Sequence, residues 1–171
     1  MKAAQLRAII ALPVMLLVAI PTLLILLLNQ FNIGWGMTFP LDLLPTLIGT
    51  SFIAVGLALF VATVRLFGTV GDGTLAPWNP PKHLVMRGIY QHVRNPMISG
   101  VLFISLGEGL FFGSVAVLEC FGIFLVLNLV YIPLIEEKGL KRRFGDEYIE
   151  YIHNVPRWIP RVKRWVQPAR E

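Results

Sequence analysis

Cysteine is nearly absent: Cys120 stands alone in 171 residues, so no disulfide can close within the chain and no Cys-x-x-Cys metal or redox pair is available. Lying inside an apolar run, it reads as a small buried side chain. Histidine is scarce too, and His83, His92 and His153 show no i, i+4 pairing, so no metal site is expected. Charged residues make up 15% of the chain against 56% apolar ones, a balance that excludes an ordinary soluble domain. There is no internal repeat, low-complexity tract or nucleic-acid module. The net charge of +5 and pI near 9.7 are therefore assigned to membrane topology and anionic lipid, not to nucleic acid. Nothing in the sequence fixes an oligomeric state.

What is abundant is uninterrupted apolar sequence. Residues 9–28, 44–64, 98–112 and 115–134 are each apolar enough to cross a hydrocarbon layer of about 30 Å, the third being short and carrying Glu108. The first is longer than a signal-peptide core and lacks a small-x-small cleavage site, so it is expected to be retained. The expected fold is an all-α integral membrane protein with about four transmembrane helices and a C-terminal helical tail. One domain over 1–171 is expected: two spans in 1–67, a motif loop in 68–97, two spans in 98–134 and a tail in 135–171.

Charge supplies the orientation. Lys2 and Arg7 precede the first span, Arg65, Lys82, Arg87 and Arg94 lie at or between the second and third, and the remaining basic residues follow the fourth. The loop at 31–43 and the turn near 113 have none. By the positive-inside rule both termini and the middle loop face the cytoplasm.

Along the chain, Pro13 and Pro21 imply a kinked, packed first helix. Trp35 suits an interfacial anchor. Gly49, Ser51 and Gly56 allow close helix approach in lipid. The glycines and prolines from Gly68 to Pro81 exclude regular helix. After the fourth span, Leu140, Phe144, Tyr148, Tyr151 and Ile152 form a helical stripe that Gly145 breaks in two, and Pro156 and Pro160 end the ordered part.

Two polar modules sit against the apolar runs. In the first, Arg87 and Arg94 beside Tyr90 suit an anionic group through the guanidinium fork, or serve only as a positive boundary. Pro96 pre-sets the next helix and so fixes Arg94 and Asn95. In the second, Glu136 and Glu137 follow Pro133, where they can start a helix and pair with Lys141, or bind ribose hydroxyls or a cation. Glu108 is a carboxylate within a span; it either faces a polar partner or cavity, or snorkels outward.

These residues resemble the isoprenylcysteine carboxyl methyltransferase and phospholipid methyltransferase superfamily of integral-membrane enzymes that use S-adenosylmethionine. Leu84, Val85, Gly88, Tyr90, Arg94 and Pro96 match one motif. Glu136, Glu137, Leu140, Phe144, Gly145, Tyr148 and Tyr151, followed by Val155, Pro156, Arg157, Ile159 and Pro160, match the second. Asn95 stands where many members have His and Ile98 where many have Tyr; Asn still hydrogen-bonds but cannot titrate near neutrality. Ala76-Pro77-Trp78 and Gly107-Glu108 resemble the bacterial-type members, which implies a bacterial inner membrane.

The resemblance implies S-adenosylmethionine as cofactor, bound at Tyr90, Arg94, Asn95, Glu136 and Glu137. It implies methyl transfer to a lipophilic or small-molecule acceptor reached through membrane lipids. Arg94 can orient a carboxylate acceptor, Glu108 is the candidate base for a thiol or ammonium, and Tyr90, Trp78 and Tyr131 offer faces to a sulfonium. The alternatives are an NADPH-using reductase relative and a non-catalytic membrane subunit binding anionic lipid or a partner.

Overall fold

The structure, a computed structural model, describes residues 15–70 and 84–167. Lys2, Arg7, Pro13, Trp78, Lys82 and His83, with most of the loop from Gly68 to Pro81, lie outside the described residues. Within them the chain is helical, with no strand. A π-helical turn, Met15–Ala19, leads into α1 (Ile20–Leu27), and α2 follows at Leu43–Val70. Then come α3 (Pro96–Phe112), α4 (Val115–Tyr131), α5 (Glu137–Phe144) and α6 (Asp146–Asn154).

Among the described residues α2 and α3 form the most extensive helix pairing, and it rests on missing side chains. A Cβ on Gly49 would meet Gly107 O at 2.8 Å, and one on Gly107 would meet Gly49 O at 2.6 Å. One register further, Gly56 and Gly100 stand in the same reciprocal relation, at 2.6 and 2.9 Å. Two such contacts, two helical turns apart on antiparallel helices, bring backbone against backbone as small residues do in lipid. Around this seam Leu17, Val101 and Ile104 are buried with Phe60 and Phe124 packed against them, joining all four apolar helical regions.

Two loops fasten the end remote from the motif loop. Trp35 donates its indole N–H to Leu110 O (3.0 Å), and Asn32 N–H donates to Phe112 O (3.0 Å). Gln30 Oε1 accepts from Ser114 Oγ (2.9 Å) and Ala116 N–H (3.1 Å), while Ser114 Oγ caps α4 by accepting from Val117 N–H. The 31–43 loop is thus a clamp as well as a connection.

Large apolar side chains cover the outside: Leu26, Leu27, Leu47, Val55, Ile123, Val126 and Val130 are all exposed. A surface of this kind fits a lipid solvent and is untenable in water. Among the described residues two helices are long and apolar enough to cross a membrane, over Leu43–Leu66 and Val115–Phe144, and Leu17–Leu27 and Pro96–Phe112 are shorter apolar helices.

Three boundaries differ from those read in the sequence. The second helix continues past residue 64 to Val70, because Arg65 ends the apolar stretch but is a good helix former; it therefore runs into the glycine-containing stretch at Gly68. The fourth does not stop at residue 134. A π-turn, Ile132–Glu136, absorbs the donor that proline lacks, so the helical path runs on into α5. Finally, order extends beyond Arg161 to a buried Trp165. Gly145 divides the tail as expected, with φ of +55° between α5 and α6.

Candidate active site

The motif loop enters α3 through a short 3-10 turn, Gly88–Gln91, and Pro96 occupies the first turn of α3. The tail is laid across this loop by backbone bonds: Arg94 N–H donates to Pro156 O (2.9 Å), Arg161 N–H to His92 O (3.0 Å) and Trp165 N–H to Gln91 O (3.1 Å). Tyr151 adds a fourth tie, its hydroxyl donating to Tyr90 O at 2.7 Å. Below these contacts the apolar stripe finds its partners, since Tyr148, Tyr151, Val155 and Trp165 are buried together with Leu140, Phe144 and Ile152 against them.

At the centre lies Glu137, 7% exposed at the π-turn exit. Its Oε1 accepts from Arg94 Nη1 and from Arg157 Nε, and its Oε2 from Arg157 Nη2, each at 2.8 Å. The carboxylate thus faces two arginines, not the Lys141 expected from helical spacing. Charge-assisted bonds are worth about 1.5–3 kcal/mol each, and a carboxylate so deeply desolvated needs this many. The Glu137 bond raises the Arg157 guanidinium above its usual range. Burial, with the Glu137 charge, pushes the Tyr148 hydroxyl up to about 12, although Arg94 beside it pulls the other way. Tyr90 and Tyr151 are also raised, chiefly by burial. All three tyrosines therefore remain neutral.

The expected site residues are partly gathered here. Arg94, Glu137 and Tyr90 share the knot, and Glu136 lies near enough to Tyr90 for its charge to oppose ionisation of that hydroxyl. Asn95 precedes α3 but does not cap it; its carbonyl accepts from Ser99 Oγ at 3.0 Å. Two buried donors in this group have no partner, Arg94 Nε and Asn95 Nδ2. Glu108 is not brought in: fourteen residues along from Arg94, it lies about 20 Å up α3 at the helical rise, with Oε2 buried and unpartnered. Tyr131 is exposed on α4.

Beside the knot is an apolar cavity of about 460 Å³. Val93 and Pro96, which flank Arg94 and Asn95, line it together with Leu59, Phe103, Leu129 and Trp158. Two residues here were not singled out from the sequence. Arg157 completes the carboxylate cage, and its place in the Val-Pro-Arg-x-Ile-Pro run was the signal available. His92 contributes to the cavity wall, and its spacing gave no signal.

The model of one protein family, phospholipid methyltransferase, matches residues 44–147. The chain belongs to that family. The match begins in α2 and ends in α6, spanning both the glycine seam and most of the knot. A curated relative, protein-S-isoprenylcysteine O-methyltransferase B of Arabidopsis thaliana, is 34% identical over 83 residues, which are 46% of this chain and 40% of the relative. The chain thus spans about two fifths of that relative's length. No solved structure matches. As a family member with an apolar outer surface, the chain is a membrane protein.

Proposed function

We propose that the chain transfers a methyl group from S-adenosylmethionine to a lipophilic or small membrane-accessible acceptor, through an O, S or N nucleophile, at the cytoplasmic membrane face. The observation carrying this is the pair of buried, unpartnered donors, Arg94 Nε and Asn95 Nδ2, beside an apolar cavity. Buried donors rarely stay orphaned, and a ligand with carboxylate and hydroxyl acceptors supplies what they lack. The same ligand's ammonium and ribose hydroxyls suit Glu136 beside Tyr90. The residues present therefore fit the cofactor: Arg94 and Asn95 donate to it, Glu136 accepts, Tyr90 walls it, and Glu137 holds Arg94 in place.

When bound, the cofactor supplies a methyl group already activated by a cationic sulfur. The protein then has to align the acceptor and keep water out. Packing of Trp158 over an apolar cavity, and of Trp165 and Tyr151 behind the knot, serves the second task. The proposal includes four spans, counting the two shorter apolar helices, with both termini cytoplasmic. Reporter fusions at the C-terminus decide it: activity only on the outer side overturns the topology.

Isothermal titration of the purified protein with S-adenosylmethionine, its demethylated product and NADPH tests the cofactor. Binding of the first two and not the third is expected. NADPH binding alone would favour a reductase relative, and no binding a non-catalytic subunit.

A further inference from the structure

Among the described residues, the cavity beside the arginine knot has one imidazole in its wall. Its polar side chains are His92, Ser99 and Trp158. Ser99 commits its hydroxyl hydrogen to Asn95 O, and an indole N–H can only donate. His92 is held at both ends: its Nδ1 lies 2.8 Å from Arg161 O, and its own carbonyl accepts from Arg161 N–H at 3.0 Å. A carbonyl oxygen can only accept, so Nδ1 carries the hydrogen and Nε2 is the basic nitrogen of the neutral ring. Nε2 makes no hydrogen bond among the described residues.

Among the described residues no Lys or Arg lines this cavity. Of the arginines nearby, Arg94 Nη1 and Arg157 are engaged on Glu137, Arg94 Nε is the donor assigned to the cofactor, and Arg161 Nη1 donates to Asn154 O at 2.6 Å. With Arg94 Nε taken by the cofactor, a carboxylate acceptor entering the cavity would lose its water and meet no further cation among the described lining residues, which is costly. A neutral X–H group loses little, and His92 stands in the wall beside it.

We propose that His92 Nε2 takes the proton from the methyl acceptor, and that the cavity admits a lipophilic thiol or phenol, not a carboxylate. This rests on the methyltransferase reading of the site. The X–H bond would break toward Nε2, X would bond the methyl carbon with the electron pair it keeps, the methyl–sulfur bond would break with its pair left on the sulfur of the demethylated product, and the imidazolium would return its proton to water. Thiols and phenols ionise close enough to imidazole for such a transfer. The strap to Arg161 fixes the ring's tautomer and orientation, as partners of functional histidines do.

The test uses the full chain in lipid nanodiscs, with dodecanethiol, 4-octylphenol and dodecanoate as probes and tritiated S-adenosylmethionine as donor. Methylation of the thiol or the phenol, and not of dodecanoate, is expected. His92→Gln should lower kcat at least about 10²-fold, with KM for the acceptor within a few-fold and cofactor affinity unchanged. His92→Asn keeps a donor for Arg161 O but has no base, so it should be equally slow; restored turnover in it would show that the strap is the residue's whole role and overturn the proposal. Without cofactor, the His92 Nε2 nitrogen resonance should shift on adding dodecanethiol and not on adding dodecanoate. Preferred methylation of dodecanoate, or an unmoved resonance with both, also overturns it. Failure to bind S-adenosylmethionine at all refutes the methyltransferase reading instead, and the cofactor-free resonance separates the two failures.

Discussion

The glycine seam between α2 and α3 and the carboxylate knot under the tail hold the molecule together in opposite ways. The seam works by omission: four glycines let two backbones meet, and no charge is involved. The knot works by convergence, since one buried carboxylate draws arginines from two segments 43 and 20 residues away onto itself. A seam of this kind tolerates any apolar neighbour but no added atom at four points. The knot tolerates changes of shape around it but not the loss of its one anion. The seam is therefore suited to a scaffold, and the knot, which keeps two donors unspent, to a ligand.

Glu137→Ala should break the knot and leave the seam intact, with the largest effect of the substitutions considered. It strands Arg94, whose side chain is only 12% exposed, without its anion, and removing one partner of a buried pair costs about 3–5 kcal/mol. Release of the tail should follow, read as new proteolytic cleavage near residues 156–165, with cofactor affinity lost as well. A tail still protected in Glu137→Ala would mean that the aromatic stripe, not the carboxylate, fastens it.

Gly56→Leu attacks the other side of the comparison. A Cβ there would lie 2.6 Å from Gly100 O, and the obstacle is backbone, which cannot swing aside. Overpacking of this kind costs about 1–3 kcal/mol, so the midpoint of thermal unfolding in detergent should fall. Gly122→Leu on α4 supplies the control, because a Cβ at that position meets nothing within 4 Å. Equal destabilisation by both would mean that leucine bulk in lipid, not the seam, is being measured.

The two regions also differ in how much of them could be read from the chain. Gly49 and Gly56 announce a close helix contact by residue type alone, and the stripe from Leu140 to Ile152 announces a buried face by its period. Family motifs gathered Tyr90, Arg94, Glu136 and Glu137 as candidates, and the structure places them near one another. Spacing along one helix pointed Glu137 at Lys141, however, because a local rule cannot weigh an arginine twenty residues away against a lysine four away. The end of the fourth span misleads for a different reason: the apolar run stops at residue 134, but the π-turn Ile132–Glu136 accommodates Pro133 and carries the helical path on. The bond from His92 to Arg161 spans 69 residues, and no periodicity carries such a contact.

Within the knot the two arginines should separate. Arg157 holds Glu137 with two parallel bonds and is the more exposed partner. Arg157→Lys keeps the charge but loses one bond, so stability should fall by about 1 kcal/mol with cofactor affinity nearly unchanged. Arg94→Lys removes the orphan Nε donor and should weaken S-adenosylmethionine binding about tenfold, as the loss of one charge-assisted bond would. Titration calorimetry on both variants reads the difference directly. Equal affinity loss in the two would place the ligand on Arg157 as well.

The smallest effect is expected at Glu108, which belongs to neither region's chemistry. It follows Gly107 of the seam and lies about 20 Å along α3 from Arg94, outside the residues that line the cavity. A carboxylate there cannot move a proton at a nucleophile held beside Arg94 and Asn95, since general-base transfer needs direct contact or one bridging water. Glu108→Gln keeps the shape and the hydrogen-bonding capacity and removes only ionisation. Turnover should therefore stay within about threefold of the parent, whereas a placed base contributes about 10² or more. A fall of that size, with cofactor affinity unchanged, would mean that the acceptor reaches the reacting methyl from the Trp35 end of α3, and that the cavity lined by His92 is not its path.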